Sequence, residues 1–157
     1  MKTPIPILVV DDRPKNLAVI DSVLDSPEYQ LVLVQTAQDA LTALLRMDFA
    51  AVLLDVKMPD MTGYELARLI KGRKLNRYLP IIFISGHHTD ASDVQVGYAA
   101  GGVDYVCKPF DPFVVRAKVE VFAELYRQRA DLTTEANTLR VENARLQQVL
   151  TTQIRTN

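Results

Sequence analysis

Glycine and proline are missing from the last 45 residues: all six glycines and all eight prolines lie between Pro4 and Pro112 of a 157-residue chain. A stretch that long without breakers reads as one continuous helix or as a disordered tail. Cysteine is almost absent as well. The single Cys107 excludes a disulfide framework and a cysteine-rich zinc site. No excess of either charge exists: eighteen basic residues stand against nineteen acidic ones, for a formal charge of −1. That excludes the broad electrostatic footprint of a direct nucleic-acid binder or of a protein held on an anionic membrane. No stretch approaches the ~20 apolar residues of a membrane span. The run from Ile7 to Val10, preceded by Pro4 and Pro6, is too short for a signal peptide. The expectation is a soluble cytoplasmic protein with one compact domain and an appendage, its apolar content of 48% being ordinary for that class.

What the body contains is an alternation. Ile5–Val10, Gln30–Gln35, Ala50–Leu54, Ile81–Ile84 and Val103–Cys107 are short runs rich in Val, Ile and Leu, as expected of strands buried on both faces of a parallel sheet. Between them, apolar residues recur at helical spacing: Leu17, Ile20 and Leu24 after Pro14; Leu41, Leu44 and Leu45 after Ala37; Leu66, Leu69 and Ile70 after Gly63. Val94, Val96 and Tyr98 form a weaker pattern. Five β-α repeats predict an α/β fold with a five-stranded, doubly wound parallel sheet.

Ligands of such sheets bind outside the carboxyl ends of the strands. Asp11 and Asp12 follow the first run, Asp55 ends the third, Ser85 follows the fourth, and Lys108, next to Pro109, follows the fifth. Taken singly, an Asp there is a common helix N-cap, Ser85 a turn residue and Lys108 a surface cation. Together they bring three carboxylates, a hydroxyl and an ammonium to one patch. Repulsion among the carboxylates is relieved by a hard cation with oxygen ligands, so the patch suits Mg²⁺ and, through it, a phosphoryl group.

These stretches carry a resemblance. VVDD at 9–12, LLDVKMPDMTGYE at 53–65, IIFISG at 81–86 and VDYVCKPF at 103–110 make the chain resemble the receiver domain of two-component response regulators, over roughly residues 5 to 120. Departures from the commonest pattern are small: Gly86 where Ala is frequent, and Gly101-Gly102 where Gly-Ala is frequent. The resemblance implies a flavodoxin-like fold in which Asp55 accepts a phosphoryl group from a histidine kinase or phosphotransfer protein. It implies that Asp12, Asp55 and the backbone carbonyl of Lys57 ligate Mg²⁺, with Asp11 doing so directly or through water. Lys108 would pair with a phosphoryl oxygen, Ser85 would donate to the phosphoryl group, and Tyr105 would be the switch aromatic. The Lys108–Pro109 bond is expected to be cis, and Lys57 and His87 to tune the lifetime of the phosphoryl group. Metal ligation by His87 and His88 is not expected, there being no other histidine. Cys107 is expected to be a small buried hydrophobe.

Beyond Pro112 the helical pattern continues. Leu125, Leu132, Leu139 and Leu146 recur every seven residues, which places Phe122, Arg129, Ala136, Asn143 and Leu150 at the a positions of a heptad. Leu at d, a single Asn at a, and Glu135 at g five residues before Arg140 at e describe a parallel dimeric coiled coil. The expected organisation is a receiver over residues 1–120 and a coiled-coil helix over 121–157, continuous with the fifth helix. The expected assembly is a homodimer that passes a shift in helix register to a partner or output domain beyond Asn157. In multi-domain relatives such outputs include diguanylate cyclases, phosphatases and kinases.

The leading reading is a signalling switch rather than an enzyme, although it promotes its own phosphorylation. One alternative is a Mg²⁺-dependent phosphatase or hydrolase with an Asp nucleophile. Such enzymes usually place that nucleophile after the first strand, so adjacent Asp11-Asp12 and the segment from Asp55 to Pro59 speak against it. The other alternative is a receiver serving only for dimerisation, which the retention of every acidic position and of Lys108 disfavours.

Overall fold

The computed structural model describes residues 2–86 and 91–157, the side chains of residues 91–93 excepted. Five parallel strands form one sheet: β1 (Ile5–Val10), β2 (Tyr29–Val34), β3 (Ala51–Asp55), β4 (Ile81–Ser85) and β5 (Asp104–Cys107). Their order is β2-β1-β3-β4-β5. The helices that alternate with them are α1 (Pro14–Val23), α2 (Ala37–Arg46), α3 (Gly63–Gly72), α4 (Ala91–Ala99) and α5 (Pro112–Thr156). The doubly wound parallel sheet expected from the alternation, flavodoxin-like as the resemblance implies, is therefore the fold observed, with strand ends within a residue or so of those predicted.

Side chains alternate across the pleat, so each strand feeds two cores. Leu8, Val10, Val52, Leu54, Ile81 and Phe83 join residues of α2 and α3 in one buried cluster, while Ile7, Val9, Leu53, Ile82 and Ile84 fill the opposite face. β1, β3 and β4 are buried throughout. The expectation of two-sided burial does not extend to β2 and β5. These are the edge strands, and their residues are mostly half-buried or exposed.

The same edge position corrects the expectation for Cys107, which is exposed. Val106 beside it is 4% exposed and Cys107 points to the other side of the pleat. In α4, Val96 and Tyr98 are exposed, whereas Gly97 and the following Ala100 are buried. This helix packs through its small residues, which explains its weak apolar periodicity.

Helix starts are set locally. Thr36 caps α2 by accepting from the Asp39 amide at 3.0 Å. Thr62 and Glu65 form a reciprocal capping box at the start of α3.

The chain divides into two compact units, Met1–Ala123 and Glu124–Asn157. In the first, α5 buries Val115, Val119 and Ala123, one residue per turn. The second unit is helical through Thr156, and Leu125, Leu132, Leu139 and Leu146 are all more than half exposed. Among the described residues no helix is long and apolar enough to cross a membrane.

Candidate functional site

The ends of β1, β3, β4 and β5 bring the predicted groups together. Asp11, Asp12 and Asp55 each offer a carboxylate oxygen lying within 4.8 Å of the others. Lys108 Nζ lies 3.4 Å from Asp55 Oδ1 and 3.5 Å from Asp11 Oδ2. The backbone reaches this arrangement through the sheet ladder. The Lys108 amide donates to the Ser85 carbonyl at 2.7 Å, so the cation and the β4 hydroxyl residue are tied, and the Val56 amide donates to the Ile84 carbonyl at 3.1 Å. The Lys108–Pro109 bond is cis, as expected. Ser85 is 6% exposed, and its hydroxyl lies 4.0 Å from the Cys107 sulfur. Lys57 is exposed in the loop after β3. His87 and His88 lie outside the described residues, so their expected roles find no description here.

The three carboxylates are not equivalent. Asp11 is held from three sides: Oδ1 accepts from the Arg13 amide at 2.9 Å and from Asn16 Nδ2 at 3.2 Å, while Oδ2 faces Lys108. Among the described residues, the buried Asp12 Oδ1 has no hydrogen-bond partner. Asp55 has its pKa raised from 3.8 to about 6, first by burial, then by the negative charge of Asp11, with Lys108 opposing. Among the described residues Lys108 pairs with two of the three acids, Asp11 and Asp55. An unsatisfied buried carboxylate oxygen is costly, and a hard divalent ion both pairs it and offsets the mutual repulsion. The donor set, all carboxylate oxygen, fits Mg²⁺. A cleft lined by Asp12, Gln35, Thr36, Met58, Pro59 and Met61 opens beside it.

Two residues that sequence reasoning left without a role position this site. Asn16 orients Asp11 from the first turn of α1. Gly63 packs directly on the phosphoacceptor candidate's backbone: a Cβ there would stand 2.3 Å from the Asp55 carbonyl oxygen and 3.0 Å from the Val56 Cα. The Gly63 amide also donates to the Val56 carbonyl at 2.8 Å. Its place in the TGYE segment was visible, but nothing local reveals that the helix start rests on β3. Gly63→Ala is expected to cost about 1–3 kcal/mol through overpacking against backbone. A urea titration checks this, and an unchanged midpoint would show that α3 gives way freely.

Comparison with known proteins agrees with this geometry. A family model described as the response regulator receiver domain matches residues 7–120. A Vibrio cholerae protein named probable cyclic di-GMP phosphodiesterase is 32% identical over 136 residues, covering 87% of this chain and 30% of its own length. The DNA-binding response regulator MtrA of Mycolicibacterium smegmatis is 34% identical over 113 residues, covering 72% of this chain and 48% of its own. The chain thus spans less than half the length of either relative. Among solved structures, the receiver domain of a sensor histidine kinase from Pseudomonas aeruginosa, with magnesium coordinated in its active-site cleft, superposes with a TM-score of 0.70 at 29% identity, covering 78% of this chain and 99% of that one. A response regulator structure from Chloroflexus aurantiacus gives 0.72 at 27% identity, with 78% and 99% covered. With the carboxylate triad, the lysine and the sheet order all in place, the chain belongs to the family of response regulator receiver domains.

Proposed function

We propose that this receiver accepts a phosphoryl group on Asp55 and uses the resulting change to signal through the helix that follows. The observation that carries the reading is geometric: at the carboxyl end of the central strand the buried Asp55 shares a 4.8 Å cluster of carboxylate oxygens with Asp11 and Asp12, and Lys108 Nζ lies 3.4 Å from it. The Asp55 carboxylate attacks the phosphorus of a phosphohistidine on a histidine kinase or phosphotransfer protein. The new O–P bond replaces the N–P bond, and the imidazole leaves. Lys108 holds one phosphoryl oxygen as a point charge, and Ser85 donates its hydroxyl to another. Asp12, Asp55 and the Lys57 carbonyl would hold Mg²⁺, with Asp11 joining directly or through water. When bound, that ion supplies positive charge against the oxygens on which charge accumulates. Lys57 and His87 would then govern how long the phosphoryl group persists.

The test is intact mass after incubation with acetyl phosphate and Mg²⁺. One added phosphoryl group is expected, and none after chelation; an unmodified protein would refute the reading. Mg²⁺ affinity should also be pH-dependent. Because the Asp55 carboxyl retains its proton up to about pH 6, metal and proton compete there. The affinity should fall roughly tenfold between pH 7 and 5 from this group alone. Calorimetric titration at both values checks it, and a flat profile would remove Asp55 from the ligand set.

The output is assigned with the extension. A 136-residue match within 157 residues cannot end before residue 136, so similarity to the V. cholerae protein runs into the second unit. This supports a link from receiver through helix to an effector, in a cytoplasmic protein, with the exposed leucines of residues 121–157 pairing in a homodimer. An isolated helix gains little stability without packing of its apolar stripe, which supports a second copy as the occupant.

A further inference from the structure

The inward side of β5 carries an arrangement that the phosphoacceptor site does not use. Tyr105 lies against the buried core, its ring centroid 5.3 Å from Phe83 and 5.9 Å from Tyr98. Its hydroxyl donates to the hydroxyl of Tyr64, on α3, at 2.7 Å. Tyr64 is itself braced edge-on against Phe83, with centroids 4.9 Å apart at 66°. On the α4 side the space exists only because residue 97 is glycine. A Cβ there would stand 1.8 Å from the Tyr105 hydroxyl oxygen and 2.5 Å from Cζ. The ring therefore occupies a notch cut by Gly97, closed at its far end by Tyr64.

Tyr64 is also well placed to report on the acidic site. It follows Gly63, which rests on the Asp55 carbonyl, and it lies in a first helical turn held by the Thr62–Glu65 capping box. A displacement of the loop after β3 moves the start of α3, and with it the hydroxyl that Tyr105 binds.

We propose that Tyr64 is a positioning residue for the switch aromatic: its hydroxyl latches Tyr105 in the Gly97 notch and couples the Asp55 loop to the surface of α4 and β5. This rests on the phosphoacceptor reading only for its consequence, since the latch itself concerns the position of one ring. Two rigid aromatic side chains joined by a hydrogen bond make a two-state element: the bond favours the inward ring, and its loss weakens that preference.

Tyr64→Phe keeps the ring and removes the bond. In full-length ¹⁵N-labelled protein, the inward-to-outward ratio is expected to shift roughly fivefold toward outward, the factor set by one neutral hydrogen bond. The ring current of Tyr105 at the Gly97 amide reports this, with far-UV circular dichroism confirming the fold. Tyr105→Phe should produce at least the same loss, and adding Tyr64→Phe to it no further loss, because the bond between the two hydroxyls is then already gone. Gly97→Ala, which fills the notch, should drive the ring out more completely. In the presence of Mg²⁺, the apparent affinity for beryllofluoride should weaken by up to about threefold in Tyr64→Phe, in proportion to the lost inward fraction. An unchanged Gly97 signal in Tyr64→Phe, or additive losses in the double variant, would overturn the latch. If wild-type protein binds no beryllofluoride, the phosphoacceptor reading fails, while the Gly97 signal of the metal-free protein still decides the latch.

Discussion

Asp55→Asn is expected to abolish phosphoryl uptake and, at the same time, to stabilise the metal-free protein at neutral pH. The first effect follows from nucleophilicity, because an amide oxygen does not displace an imidazole from phosphorus; the rate should fall by at least ~10³-fold, in line with losing the attacking group of a covalent step. The second follows from linkage. Asp55 titrates near 6 in the folded chain against 3.8 as its ordinary value, so the folded state binds this proton more tightly than the unfolded state does. The contribution of Asp55 to stability is then fully present below about pH 4 and is lost as the pH rises through 6. At pH 7 the ionised, buried carboxylate destabilises the fold by up to about 3 kcal/mol, a figure already net of its attraction to Lys108. Denaturant unfolding in chelator at pH 7 should show Asp55→Asn more stable than wild type, with the gap closing near pH 4. A variant less stable at pH 7 would mean that Asp55 is not under electrostatic stress.

Leu139→Asp is expected to convert a dimer into a monomer. Leu139 is 58% exposed and occupies a d position of the heptad, as do Leu125, Leu132 and Leu146. A parallel pairing would bury two such side chains against each other in one layer, and an unpaired carboxylate from each helix in that layer is strongly unfavourable. A rise of at least ~100-fold in the dimer dissociation constant corresponds to about 3 kcal/mol. The same charge at a b position, Ala144→Asp, should change the constant little, because that residue faces away from the seam. Sedimentation equilibrium distinguishes the two. Equal sensitivity at both positions, or a wild type that stays monomeric, would contradict the heptad assignment. In such a pairing Asn143, at a, would set register rather than strength.

These effects were legible in the sequence to different degrees, for physical reasons. Strand ends are where a parallel sheet presents chemistry, and near-continuous apolar runs such as AVLL at 51–54 mark those strands without knowledge of the fold. Asp11, Asp12, Asp55, Ser85 and Lys108 could therefore be placed at one rim from the order of segments alone. Burial at sheet edges could not. Cys107 sits in an apolar run yet faces out, because β5 has a neighbour on one side only. The buried side of α4 escaped periodicity because it is lined by Gly97 and Ala100, while the apolar Val96 and Tyr98 are exposed. Contacts between residues distant in the chain, such as Gly63 on Asp55 and Tyr64 on Tyr105, leave no local signature. A glycine that opens a helix and a glycine that admits another strand's side chain look identical along the chain.

The two units raise one mechanical question, which the predictions separate. In the proposed function phosphoryl uptake would depend on the carboxylate cluster in Met1–Ala123, and dimerisation on the leucine stripe in Glu124–Asn157. Leu139→Asp should therefore still gain a phosphoryl group, and Asp55→Asn should still dimerise. Loss of both properties in either variant would point to misfolding.

The most direct measurement is the site of modification. After reaction with acetyl phosphate and Mg²⁺, borohydride reduction converts an aspartyl phosphate to homoserine, and peptide mass spectrometry locates it. The account predicts a single homoserine at position 55, absent when Mg²⁺ is chelated. Reduction at another aspartate, or a phosphoryl group carried on a serine, threonine or histidine, would contradict it.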